Sequence, residues 1–86
     1  MGNGFDREIS FEITERIGVI DKSSTGWSLE INKVSWNGGK SKYDLRNWNE
    51  DYTRMTRGIT LTETQMEKLG ICWANAGFTA VVVPPT

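Results

Sequence analysis

The chain has 86 residues, a formal charge of −1, a single cysteine, no histidine and four tryptophans. One domain of this size buries only about 60% of the surface its unfolded chain exposes, so its own core is small. Lacking a second cysteine or any histidine, it has no internal disulfide or zinc site to staple it and no histidine to serve as general base, and no apolar run nears the roughly 20 residues that span a bilayer.

Residues 8–20 read as a first strand, with Ile9, Phe11 and Ile13 alternating with Glu8, Ser10, Glu12 and Thr14. Ile17 and Val19 keep that phase and Ile20 breaks it, which predicts a bend or bulge near 16–18. The polar cluster at 21–26 is a turn. A second strand follows over 27–36, with Trp27, Leu29 and Ile31 on the core face before the apolar positions switch to Val34 and Trp36. Asn37-Gly38-Gly39 predicts a tight hairpin, because it supplies the positive φ that primed turns need. The returning strand, 40–49, alternates Tyr43 and Leu45 with Lys42, Asp44, Arg46 and Trp48.

After a polar loop, 54–61 reads as a fourth strand with Ile59 and Leu61 toward the core. Thr62 followed by Gln65 is a capping-box signature, and Met66, Leu69, Trp73 and Ala76 then form one helical stripe ended by Gly77. The order of elements indicates an α+β fold, a curved antiparallel sheet of four strands followed by one C-terminal helix (ββββα), covered by the helix on one face and open on the other. Residues 1–7 are expected to be a flexible tail, 8–77 the domain and 78–86 an apolar tail, which fits either an edge strand or a strap across a partner. A small core, Ile71 and Cys72 off the main helical stripe, and Val81-Val82-Val83 together predict a homodimer.

The charge is uneven. Residues 33–57 hold six basic side chains (Lys33, Lys40, Lys42, Arg46, Arg54 and Arg57) against three acidic ones, a local excess of three on a chain that is acidic elsewhere. Exposed charges act over about 8 Å at physiological salt, so this patch matters more to a polyanion than the total does. Trp27 and Trp73 have the parity of core residues, whereas Trp36 and Trp48 fall on the other face, beside Lys40, Lys42 and Arg46. An exposed indole among cations suits an unpaired base, which stacks on the ring while its phosphate meets a lysine or arginine. Either tryptophan covering an apolar edge or a dimer seam is the alternative. Cys72 has no base beside it, the acidic residues show no catalytic or calcium-binding spacing, and Gly38-Gly39 stands in a hairpin rather than before a helix, so neither enzymatic activity nor a cofactor is expected.

The strand Lys42-Tyr43-Asp44-Leu45-Arg46-Asn47-Trp48 and the run Thr56-Arg57-Gly58-Ile59-Thr60-Leu61-Thr62, leading into a helix at Glu63-Thr64-Gln65-Met66, resemble the eukaryotic transcriptional coactivator family of positive cofactor four and its bacterial YdbC-like members. The resemblance covers about 9–76. It implies a dimer joined largely through the helices, with curved sheets offering grooves to single-stranded DNA with little sequence preference. It also implies that Trp36 stacks bases and Lys40 contacts phosphate, and that Arg46, Trp48 and Arg57 occupy the family's basic and aromatic positions. The loop before Arg57 is shorter than in the eukaryotic protein and the hairpin turn lacks its lysine, which leaves Lys33, Lys42 and Arg54 as secondary contributors. The serine- and lysine-rich regulatory tail has no counterpart, so control by its phosphorylation is not expected.

The expected function is therefore sequence-tolerant binding of single-stranded DNA in transcription, repair or replication, by a bacterial protein of the cytoplasm and nucleoid. Single-stranded RNA is an alternative ligand, because stacking does not sense the 2′-hydroxyl. A surface recruiting a polymerase or repair factor is an alternative of another class. No membrane or small-molecule substrate is expected as a partner.

Overall fold

The computed structural model describes residues 9–78. Four strands, β1 (Phe11–Lys22), β2 (Ser28–Trp36), β3 (Lys42–Trp48) and β4 (Ile59–Leu61), form one antiparallel meander in the order β1-β2-β3-β4, and α1 (Glu63–Asn75) follows. The expected tails, at 1–7 and beyond Phe78, lie outside the described residues.

Register explains the broken alternation of β1. Phe11, Ile13, Arg16, Val19 and Lys22 pair with Trp36, Val34, Asn32, Glu30 and Ser28, with register shifts between Ile13 and Glu15, Arg16 and Gly18, and Val19 and Asp21. Thr14, Ile17 and Ile20 are thus extra residues, each adding bend and twist to the strand. The predicted bulge near 16–18 is one of these three. The turn Trp36 to Gly39 is closed by the Gly39 N–H donating to the Trp36 carbonyl at 2.9 Å, with φ of 52° at Asn37 and 76° at Gly38. Asn37 also anchors the chain ahead of β1: its Oδ1 accepts from the Ser10 N–H at 2.9 Å.

The fourth strand is shorter than expected. Met55 forms an isolated bridge with Trp48, and pairing resumes only where Ile59 meets Leu45. Three residues, Thr56, Arg57 and Gly58, therefore oppose two, Arg46 and Asn47, and Arg57 and Gly58 take up the difference. The helix termini follow the sequence. Thr62 and Gln65 make the reciprocal capping box, and Gly77 at φ 97° closes a Schellman motif in which Phe78 N–H donates to Trp73 O and Gly77 N–H to Ala74 O. The Phe78 and Trp73 rings, 5.0 Å apart, add the hydrophobic contact of that motif.

The packed core is on the face opposite to the one expected. Val34 and Trp48 are the buried apolar residues among those described, joined by Ser28, Glu30, Asn32 and Asp44, and all six share one face of β2 and β3. The other face, with Leu29, Ile31, Tyr43, Leu45, Ile59 and Leu61, is half-buried or exposed. The helix touches only β3 and β4 and buries none of its residues, leaving Leu69 and Trp73 exposed. It leaves the sheet edge immediately after the three-residue β4, so its apolar stripe does not cover the sheet. The radius of gyration, 15.0 Å, exceeds the roughly 12 Å of a compact chain this long.

Candidate nucleic-acid interface

The sheet curls around the face that carries Trp36, Arg46 and Trp48. If straight, the nine residues of β2 would span about 30 Å. Trp36 lies at one end of β2 and Trp48 pairs with the other, yet the Phe11 ring is 5.8 Å from Trp36 and 5.1 Å from Trp48. Tyr52, from the loop after β3 and at φ 61°, extends this aromatic bridge, 5.7 Å from Trp48. The face is therefore concave and lined by four aromatic rings.

Polar side chains fix the rings in place. The Arg46 guanidinium lies 4.6 Å from the centre of the Trp36 ring, a cation–π arrangement. Its Nε and Nη2 donate to the two oxygens of Asp44 at 2.6 and 2.7 Å, and Nη1 reaches the Thr56 carbonyl and the Met55 sulfur. Of its five donors, four are thus engaged. A second network centres on Glu30, which accepts from Ser28 Oγ at 2.5 Å, Asn32 Nδ2 at 3.1 Å and Tyr52 OH at 2.7 Å, with Arg16 4.0 Å away and stacked 4.3 Å from the Tyr52 ring. Burial pushes the Glu30 carboxyl up, but these hydrogen bonds and the Arg16 charge outweigh it and hold its pKa below the ordinary value. The same bond raises the Tyr52 phenol above its usual range. Both indole N–H groups, of Trp36 and Trp48, are buried without a hydrogen-bond partner.

The structure brings some of the expected residues together and separates others. Trp36 and Arg46 are in contact on the concave face, and Trp36 keeps part of its surface open. Trp48 has the expected parity but not the expected exposure: Phe11 and Tyr52 arch over it, leaving it 0% exposed, a floor rather than a platform. Lys42 is exposed, with the concave-face register of Val34, and Lys40 is exposed just beyond the turn. Arg57 is exposed beside Gly58, and Arg54, also exposed, sits in a loop held by Asn49. Lys33 pairs with Tyr43 and so stands on the opposite face, its Nζ 5.0 Å from the Tyr43 ring.

Phe11, Arg16, Glu30 and Tyr52 belong to the site without having been expected there. Polar Ser28, Glu30 and Asn32 alternate along β2 on the buried face, and Glu30 there meets Tyr52, from a loop with no periodicity. The parity that singled out Trp36 was the one local signal able to find Glu30.

The fold and this face define a class: small α+β modules in which an open meander sheet presents aromatic and basic side chains on a bare concave side. The family model described as transcriptional coactivator p15 (PC4) matches residues 23–70, which hold β2, β3, β4 and the first half of α1. An uncharacterized protein of Treponema pallidum (strain Nichols) is 38% identical over 68 residues, 79% of this chain and 80% of that one. The chain belongs to the transcriptional coactivator p15 (PC4) family, a nucleic-acid-binding family.

Proposed function

We propose that this protein binds single-stranded DNA with little sequence preference, and does so as a homodimer serving transcription, repair or replication. The observation that carries the reading is the partly open Trp36 ring on a concave face, backed by an arginine whose own charge Asp44 already balances. An unpaired base stacks on such a ring for about 1–3 kcal/mol, whatever its identity, because every base has a π-face. Duplex DNA keeps its base faces stacked internally and offers none. Lys40, Lys42, Arg54 and Arg57, all exposed, supply phosphate contacts around the rim. With nearly all its donors engaged, Arg46 acts chiefly by holding Trp36, and Trp48 by supporting the floor.

Dimerisation is supported by the uncovered second face. Among the described residues, Leu29, Ile31, Leu45, Ile59 and Leu61, with Leu69 and Trp73 of the helix, leave an apolar surface of the kind that a partner covers.

Titration with oligo-dT, watched by tryptophan fluorescence, tests the reading. Quenching at low salt that weakens by about 0.7 per phosphate contact on a log–log salt plot is expected. Unchanged fluorescence and no complex by sedimentation would overturn it. A parallel oligo-rU series measures whether RNA competes.

A further inference from the structure

Trp36 and Tyr52 stand at the two ends of the chain of rings that crosses the concave face, with Phe11 and Trp48 between them. Trp48 is closed to a ligand, whereas Tyr52 is half-buried. Tyr52 is held at φ 61°, a conformation that is costly for a bulky side chain and persists only where its surroundings enforce it. Its hydroxyl donates to Glu30 at 2.7 Å, its N–H donates to the Asn49 carbonyl at 3.1 Å, and its ring packs 5.7 Å from Trp48. The ring is thus fixed before any ligand arrives.

Arg16 lies over that ring, 4.3 Å from its centre. It differs from Arg46, which meets both Asp44 oxygens at 2.6 and 2.7 Å with a side chain 13% exposed. The Arg16 side chain is 58% exposed, and its ion pair with Glu30 is 4.0 Å long. Register shifts between Ile13 and Glu15 and between Arg16 and Gly18 flank it, and such bulges re-aim a side chain. If Arg16 leaves, Glu30 keeps its bonds from Ser28, Asn32 and Tyr52, so the guanidinium is readily displaced.

We infer that Arg16 and Tyr52 form a second nucleotide subsite, in which an unpaired base takes the guanidinium's place on the Tyr52 ring and Arg16, released, bonds that nucleotide's phosphate. The inference rests on the single-stranded DNA reading and adds a base site that Trp36 does not supply. A planar guanidinium stacked on a phenol marks a flat ring face that accepts another flat group, and a base is one. The freed fork brings five donors, spaced to meet phosphate oxygens in pairs. Trp36 ends β2, and Trp48, beside Tyr52, pairs with its first residue, Ser28. A strand on both end rings therefore crosses the concave face from one end of β2 to the other.

The test titrates the full chain with oligo-dT of about 12 nucleotides, within the range one small domain covers. Arg16→Gln is expected to lower the log–log salt slope by about 0.7, and Arg16→Lys to restore it. Tyr52→Leu should lower affinity on the order of tenfold. Tyr52→Phe keeps the ring and drops the bond to Glu30, and should bind as wild type under conditions where its urea profile shows it folded. An unchanged slope in Arg16→Gln overturns the inference. So do equal affinities of the Leu and Phe variants, whether both match wild type or both are reduced, because the ring would then not be the platform. Should Tyr52→Leu fail to fold, the slope of Arg16→Gln decides alone. Trp36→Ala, measured beside them, separates the two readings: binding lost there but intact in both Arg16→Gln and Tyr52→Leu removes the subsite and keeps the stacking face. A wild type that binds no oligomer removes the single-strand reading itself.

Discussion

Gly58 lies so close to Arg46 that a Cβ at position 58 would stand 2.5 Å from the Arg46 Cβ and 2.5 Å from the Leu45 carbonyl oxygen. The irregular crossing between Met55 and Ile59 therefore presses on the arginine that backs Trp36. One contacted atom is backbone, so the chain cannot swing a side chain aside to make room. Gly58→Ala is expected to destabilise the fold by about 1–3 kcal/mol, seen as a lower urea midpoint with an unchanged slope. An unchanged midpoint would mean that the crossing is loose.

Arg46→Lys separates charge from shape. Lysine keeps the positive charge but loses the planar fork that meets both Asp44 oxygens and stacks on the indole. If Arg46 acts by positioning Trp36, oligo-dT affinity falls about tenfold while the salt slope is unchanged, because no phosphate contact is lost. A slope reduced by about 0.7 would show instead that Arg46 binds phosphate directly.

The two concave-face tryptophans should fail in different assays. Trp36→Ala is expected to cost about 1–3 kcal/mol of oligo-dT binding with the fold retained. Trp48 is 0% exposed between Phe11 and Tyr52, so Trp48→Ala opens a cavity costing about 3–5 kcal/mol of stability. Thermal melts of both variants beside their titrations decide the point; equal melting temperatures would contradict the assignment.

How much of this was legible depends on how local each feature is. The Asn37-Gly38 turn and the Thr62 capping box are settled within four residues, and both formed as read. The parity of Trp36 and Trp48 followed from strand period alone. The exposure of Trp48 did not, because the residues that cover it come from β1 and from a loop without periodicity. Two of the three bulges in β1 escaped notice because an extra strand residue carries no composition of its own. The core was assigned to the wrong face for a related reason. Alternating Leu29 and Ile31 look the same whether the helix covers them or leaves them open, as it does among the described residues.

That uncovered face gives a fourth prediction. Leu69 and Trp73 are exposed on the helix at 47% and 53%, and a dimer seam would bury them. Leu69→Glu should shift the protein from dimer to monomer in equilibrium sedimentation and lower its stability, since folding and association are linked by concentration. A wild-type mass that stays monomeric at all concentrations would remove the dimer.

The Glu30–Tyr52 hydrogen bond, 2.7 Å long, should make the loop's hold on the sheet depend on pH at both extremes. Glu30 has a folded pKa below its ordinary 4.5, so its contribution to stability is complete above that value and is lost as pH falls through the folded one. Tyr52 has a folded pKa above its ordinary 10.0, so its contribution is complete below that value and is lost as pH rises through the folded one. Tyr52→Phe should cost about 1.5–3 kcal/mol at neutral pH, typical of a hydrogen bond to a charged group, and should flatten the alkaline limb of a urea-midpoint profile. Glu30→Gln should flatten the acid limb. If both variants kept the wild-type profile at both ends, the phenol would not be held by the carboxylate in solution, and Trp48 would then be open to a base whenever the loop lifts.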